Sequence, residues 1–141
     1  MPAAFLTRLP PALRDRLPAV LAAVATVAGG LTVRAVTGGW FGKYAGDALY
    51  TVLVYALILV LRPRLAPGRT ALCALAVSWA VEFAQLTPVP AALSEASVLA
   101  RLVFGSTFGV ADLVAYAAGA ALAWASHTLA RRASPSAPVT G

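Results

Sequence analysis

The chain has 141 residues, 60% of them hydrophobic and only 11% charged, with a mean hydropathy of +0.82. A soluble domain carries about 25% charged residues, and a globule of this size could not hide so much apolar surface, so a water-solvated fold is excluded in favour of one solvated by a bilayer. The net charge of +6 lies at the ends of apolar runs. It forms no basic face interleaved with aromatics, which excludes nucleic acid as a partner and points to membrane orientation.

Residues 1–16 read as a basic leader carrying Arg8, Arg14 and Arg16. The first apolar run, Leu17 to Val33, is closed by Arg34. Leader and run together also describe a signal peptide, with small residues for cleavage around Ala23, Ala25 and Ala28. A run as long as a spanning helix, ended by an arginine, favours an uncleaved helix over 17–34. Residues 37–44 read as a short link whose Trp40, Phe41 and Tyr44 suit an interfacial aromatic belt. A second helix is predicted over 45–61, followed by a basic turn from Arg62 to Arg69 in which proline and glycine stop both neighbouring helices. A third is predicted over 70–87 and is ended by Pro88 and Pro90. Residues 91–106 are less regular, apolar and too short to span, which suits an interfacial or re-entrant segment. The fourth helix is predicted over 107–128, and 130–141 reads as a disordered Ser/Pro tail. The fold class is therefore all-α: a polytopic membrane bundle of four helices between residues 17 and 129.

Orientation follows from the bases. The leader, the 62–69 turn and the tail hold eight of them against one acid, Asp15; the other two connections hold Arg34, Lys43 and Arg101 against Asp47, Glu82, Glu95 and Asp112. The positive-inside rule then places both termini in the cytoplasm of a cell carrying the chain as a multi-pass plasma-membrane protein.

This topology brings ionisable groups from separate helices to one outward layer. Glu82 lies about five residues before the outer end of its helix and Asp112 about five residues into the last, each roughly 7 Å deep; Asp47 and Arg34 open and close helices at the same face. A carboxylate at a membrane helix centre costs about 2.5–3.5 kcal/mol on insertion scales, so each must face protein or water. Ser78 and Gln85 share a helix face with Glu82. Tyr116 is one turn from Asp112, Lys43 one turn before Asp47, and Tyr50 follows Asp47 by three. The layer is either an outward polar pocket or a set of ion pairs that hold the helices in register. The pocket candidates are Arg34, Asp47, Glu82, Gln85, Asp112 and Tyr116, with Lys43, Tyr50, Ser78 and Arg101 in support. Hard oxygen ligands on Asp47, Glu82 and Asp112 would suit Mg²⁺ or Ca²⁺, but no metal and no cofactor is expected, and no catalytic role is assigned: the sequence lacks HExxH, a Walker A loop and a Ser/His/Asp set, since His127 falls at the opposite face. Two stripes of small residues, Ala115/Gly119/Ala123 and Ala22/Ala25/Gly29, suit close helix packing. Trp79 and Trp124 are expected to face lipid, and Cys73 to be buried and inert.

Three blocks, Tyr44-Ala-Gly-Asp47-Ala-Leu-Tyr50, Glu82-Phe-Ala-Gln85-Leu86 and the stretch Leu102 to Gly119 with Phe108, Asp112 and Tyr116, resemble a small bacterial membrane family catalogued as domain of unknown function 2809. The resemblance covers about residues 20–126 and implies a four-helix inner-membrane protein. Members of that family often carry an arginine about where this chain has Glu95; Arg101 is the nearest substitute. The Glu-x-x-Gln helix followed by an aspartate on the last helix is also similar to VanZ-like proteins, which are associated with glycopeptide resistance.

Three functions fit. The first is recognition of an envelope lipid or lipid-linked headgroup in the outward pocket, with membrane lipid or an unidentified small molecule as ligand. The second is a proton- or ion-coupled transporter, homo-oligomeric because four short helices enclose little volume. The third is a scaffold or accessory subunit without a ligand.

Overall fold

Proline and glycine set the breaks between the helices. The computed structural model describes residues 9–104 and 108–134, the side chains of 102–104 excepted. Residues 1–8 of the expected leader, 105–107 of the third motif block and 135–141 of the expected tail lie outside the described residues. Helix α1 spans Pro11–Val36, α2 Gly39–Leu61, α3 Pro67–Ala84, α4 Val89–Ala96, α5 Val98–Phe104 and α6 Val110–Ala133. Prolines occupy the first turn of α1, α3 and α4, where the missing N–H has no intrahelical partner to lose. The reversal from α1 to α2 needs only Thr37 and Gly38, because Gly39 adopts φ +67°, a left-handed backbone that glycine takes without steric cost.

Helices α1, α2 and α6 are each long and apolar enough to cross a membrane alone; α3 reaches that standard together with α4, across a 90° bend. The protein is thus an all-α polytopic membrane protein. At 18 residues, α3 is about 27 Å long, close to the roughly 30 Å of bilayer hydrocarbon. Its end is tightened by Gln85, Leu86 and Thr87, whose N–H groups bond three residues back to Glu82, Phe83 and Ala84. α4 then leaves at a right angle with Val89 and Leu93 exposed, an arrangement that fits the interface.

The helices differ from the hydropathy runs at their polar ends. Pro11 to Arg16, expected in the leader, are the first turns of α1; Trp40, Lys43 and Tyr44, expected in a link, are the first turns of α2; residues 130–133, expected in the tail, extend α6. Hydropathy marks the part of a helix that meets lipid, whereas the hydrogen-bonded backbone continues into the interface while arginine and aromatic side chains reach the headgroups. The α3 helix stops at Ala84 instead of 87, and α6 begins at Val110 instead of 107. Residues 91–106, expected to be irregular, contain most of two short helices.

Three helices form the core. α2, α3 and α6 pack on one another, while α1 packs along α2 and buries only Ala19 and Ala23. Tyr55, Ala74 and Ala123 form the buried apolar cluster, flanked by Val52, Ile58, Leu59 and Ala71. Leu21, Val24, Leu31, Leu72, Val114 and Leu122 point outward, as lipid requires. Trp79 and Trp124 are exposed, and so is Cys73: the expectation of a buried thiol rests on an apolar run, and an apolar run in a membrane helix faces lipid as readily as protein.

The two small-residue stripes part company. At Gly119 a Cβ would overlap the Ala48 carbonyl oxygen, so α2 and α6 touch backbone to backbone there. At Gly29 and Gly30 a Cβ would meet nothing within 4 Å, and Ala22 and Ala25 are exposed, so the α1 stripe packs against no helix within the described residues. The basic ends meet at the opposite pole of the bundle: Arg16 Nε donates to the Val60 carbonyl at 2.8 Å, and Arg64 pairs with Asp15 at 3.5 Å.

Gly119→Ala is expected to cost about 1–3 kcal/mol, the usual effect of overpacking a rigid contact, while Gly30→Ala should leave stability unchanged. Unfolding midpoints of the two variants in mixed detergent–SDS micelles check this; equal midpoints would show that α2 and α6 do not touch at Ala48.

Candidate functional site

α3 delivers one stripe of side chains to the core face at i, i+4, i+8 and i+12, all but one of them polar. Thr70, Ala74, Ser78 and Glu82 are all 0% exposed, on the stripe that helical spacing dictates. Ser78 Oγ donates to the Ala74 carbonyl at 2.9 Å and accepts from Thr51 Oγ1 of α2 at 2.9 Å. Glu82, one turn on, makes no ion pair among the described residues. Its Oε1 accepts the backbone N–H of Gly109 at 2.6 Å and its Oε2 the Tyr116 hydroxyl at 2.9 Å. Gly109 is the N-cap residue of α6, so Glu82 satisfies an N–H beside the start of a helix, where partial positive charge favours an anion. Both carboxylate oxygens are thereby held by α6.

Lys43 joins α2 to α6. Its ammonium contacts Asp112 Oδ1 and Asp47 Oδ2 at 3.4 Å, one turn away on its own helix. Asp112 is buried, whereas Asp47 and Lys43 keep part of their surface open. A Cβ at Gly109 would stand 2.7 Å from Asp112 Oδ2, so the absent side chain leaves that carboxylate its space. Tyr50 packs on Tyr116 with ring centroids 6.1 Å apart.

A cleft of about 500 Å³ opens between α1 and α2. Arg34, Thr37, Lys43 and Asp47 line it near the α1–α2 turn; Thr26, Val27, Leu31, Leu49, Tyr50 and Leu53 line it further along the two helices; and glycines 30, 38, 39, 42 and 46 belong to its walls. A methyl group added at Gly30, Gly38 or Gly46 would meet no atom within 4 Å.

Of the residues expected at the site, the structure therefore gathers Lys43, Asp47, Asp112, Glu82, Tyr116 and Ser78 in one connected region, with Tyr50 against Tyr116. Arg34, Lys43, Asp47 and Tyr50 line the cleft; Glu82, Asp112 and Tyr116 do not. Gln85 is the C-cap of α3, half-buried one turn past Glu82, and Arg101 is elsewhere: its Nε and Nη2 donate to the Ser94 carbonyl at 3.3 and 3.1 Å, tying α5 to the end of α4. A three-carboxylate metal set does not form among the described residues. His127, at the opposite face, meets the Tyr55 hydroxyl through Nδ1 at 2.8 Å. The same hydroxyl lies 3.3 Å from the Pro67 carbonyl oxygen. This second polar group is about four turns, or 22 Å, along α6 from Asp112. Tyr55 and His127 are far apart in sequence, and no local spacing signals them.

Glu82→Gln is expected to cost about 1–3 kcal/mol, because an amide has one acceptor oxygen for two donors and its NH₂ must face one of them. Tyr116→Phe, which loses a single interhelical bond, should cost about 0.6 and at most 1.7 kcal/mol. A thermal-shift series in detergent ranks the two; a neutral Glu82→Gln would mean that neither bond supports the fold. A Lys43→Met/Asp112→Asn double-mutant cycle should give a coupling on the order of 0.5–3 kcal/mol, and additivity would show the pair to be independent.

No curated protein and no solved structure matches the chain. The profile of a family described as a protein of unknown function, DUF2809, matches residues 36–120. The matched segment takes in α2 to α5 and the first half of α6, and it includes every residue that bonds to Glu82 or Lys43. With more than half of its length matched, the chain belongs to the DUF2809 family, whose function is unknown.

Proposed function

We propose that this small membrane protein binds an envelope lipid or lipid-linked headgroup in the cleft between α1 and α2, which faces the non-cytoplasmic side of the plasma membrane, with both termini in the cytoplasm. The observation that carries this reading is the cleft itself, with the charged Arg34, Lys43 and Asp47 near the α1–α2 turn and a mostly apolar lining further along, a profile that suits an amphiphile. Its volume falls within the 300–1,000 Å³ of ordinary ligand sites. The orientation rests on the concentration of arginine at the pole shared by the α1 start, the α2–α3 turn and the α6 end.

A division of labour within the polar layer supports the reading. Glu82, Asp112, Ser78, Thr51 and Tyr116 have their bonding met inside the bundle and hold helices together, as intramembrane polar groups commonly do. Arg34, Asp47 and Tyr50 face the cleft and are available to a ligand. The scaffold reading keeps one specific support, that the carboxylates of Glu82 and Asp112 are spoken for within the fold. It has no use for a cleft whose walls are lowered by glycines with open space above them.

Gly46→Leu tests this directly. The added side chain has room, so the variant should accumulate in membranes and unfold like the wild type. It should lose the lipid that wild-type protein retains through gentle detergent extraction, read by native mass spectrometry. Equal lipid on both proteins, or none on the wild type, would refute binding in the cleft.

A further inference from the structure

The charges that line the cleft say which headgroup it takes, if the lipid-binding reading above is granted. Lys43 serves two carboxylates, Asp47 and Asp112, so one negative charge is left over. Of the two acids, Asp112 is the buried partner in direct contact with the ammonium, and Asp47 is the one that lines the cleft. The surplus is therefore presented at Asp47. Across the same cleft, Arg34 closes the last turn of α1 and makes no ion pair among the described residues. The polar end thus offers one uncompensated positive charge and one uncompensated negative charge to a single occupant.

A purely anionic headgroup would match Arg34 and oppose Asp47. A choline headgroup would match the signs, but a quaternary ammonium cannot donate hydrogen bonds to a carboxylate and is ordinarily held by a cage of aromatic rings; the cleft lining has one ring, Tyr50. A phosphodiester that carries a primary amine meets every condition. Its phosphate accepts the two-pronged guanidinium of Arg34, and its ammonium donates to Asp47. Further along, Val27, Leu31 and Leu53, with Thr26 beside them, receive the start of an acyl chain. We infer that the cleft selects a zwitterionic phospholipid bearing a primary amine, of the phosphatidylethanolamine class, through Arg34 on the phosphate and Asp47 on the amine.

The test uses the purified full chain in mixed micelles that contain equal amounts of phosphatidylethanolamine, phosphatidylglycerol and phosphatidylcholine with the same acyl chains, with bound lipid counted by native mass spectrometry. The wild type should retain the ethanolamine lipid over each of the others by at least about fivefold, the discrimination that one partly exposed charge pair supplies. Arg34→Gln should lower retention of the ethanolamine and glycerol lipids alike. Asp47→Asn should lower retention of the ethanolamine lipid to the level of the glycerol lipid, erasing the preference between those two. Water-soluble glycerophosphoethanolamine should not displace the lipid; displacement would show that the ligand is a free phosphoamine and that the apolar end contributes nothing. Equal or greater retention of the glycerol lipid by the wild type overturns the headgroup assignment with the cleft reading intact, and needs no variant to fold. Retention of no lipid class at all would sink the cleft reading first.

Discussion

A carboxylate below the membrane face has no water to solvate it and must draw its donors from the protein. Glu82 draws both of its donors from one helix, the Gly109 N–H at the N-cap of α6 and the Tyr116 hydroxyl a little further along it. That choice fixes where α6 begins, how far along α3 it sits and which way it is rotated. Once α6 is so placed, Asp112 is turned toward α2, where Lys43 meets it, and Gly119 lies on Ala48. The backbone contact at Gly119 lies ten residues past the Gly109 bond and three past the Tyr116 bond on α6, so together they define its axis relative to both neighbours.

The polar layer is then two structures in one place. Its inner part is closed: Thr51, Ser78, Glu82, Asp112 and Tyr116 are each matched within the three-helix core. Its outer part is the cleft, where Arg34 stands without an ion pair among the described residues and Asp47 shares a lysine with a better-placed competitor. Intramembrane ionisable groups are costly enough to invite a functional reading by default. Here the cost is met for most of them by interhelical bonds, and the proposed ligand contacts fall to the remainder.

Much of this could be read along the chain. The four apolar runs, the right-angle segment ahead of the last helix and the arrival of Asp47, Glu82 and Asp112 in one layer all follow from hydropathy, proline placement and helical rise. Which residues are met internally could not be read, because it depends on side-chain direction around each helix: Glu82 and Asp47 look alike in sequence, yet one points to α6 and the other to the cleft. The stripes Ala115/Gly119/Ala123 and Ala22/Ala25/Gly29 also look alike, and only the first has a helix against it. The exposure of Cys73 and the Tyr55–His127 bond escape a reading of the sequence for the same reason. Hydropathy gives depth in the bilayer, and rotation about the helix axis has to come from the partners.

Helix α1 is attached differently from the other long helices. It lies along α2 alone, joined by a two-residue turn that ends in a left-handed glycine, and the core formed by α2, α3 and α6 is complete without it. No bond made by Glu82 or Lys43 involves a residue of α1. An amphiphile would enter sideways from its own leaflet, tail still in hydrocarbon, and the protein would act as a clasp on the lipid instead of a pore through which anything crosses.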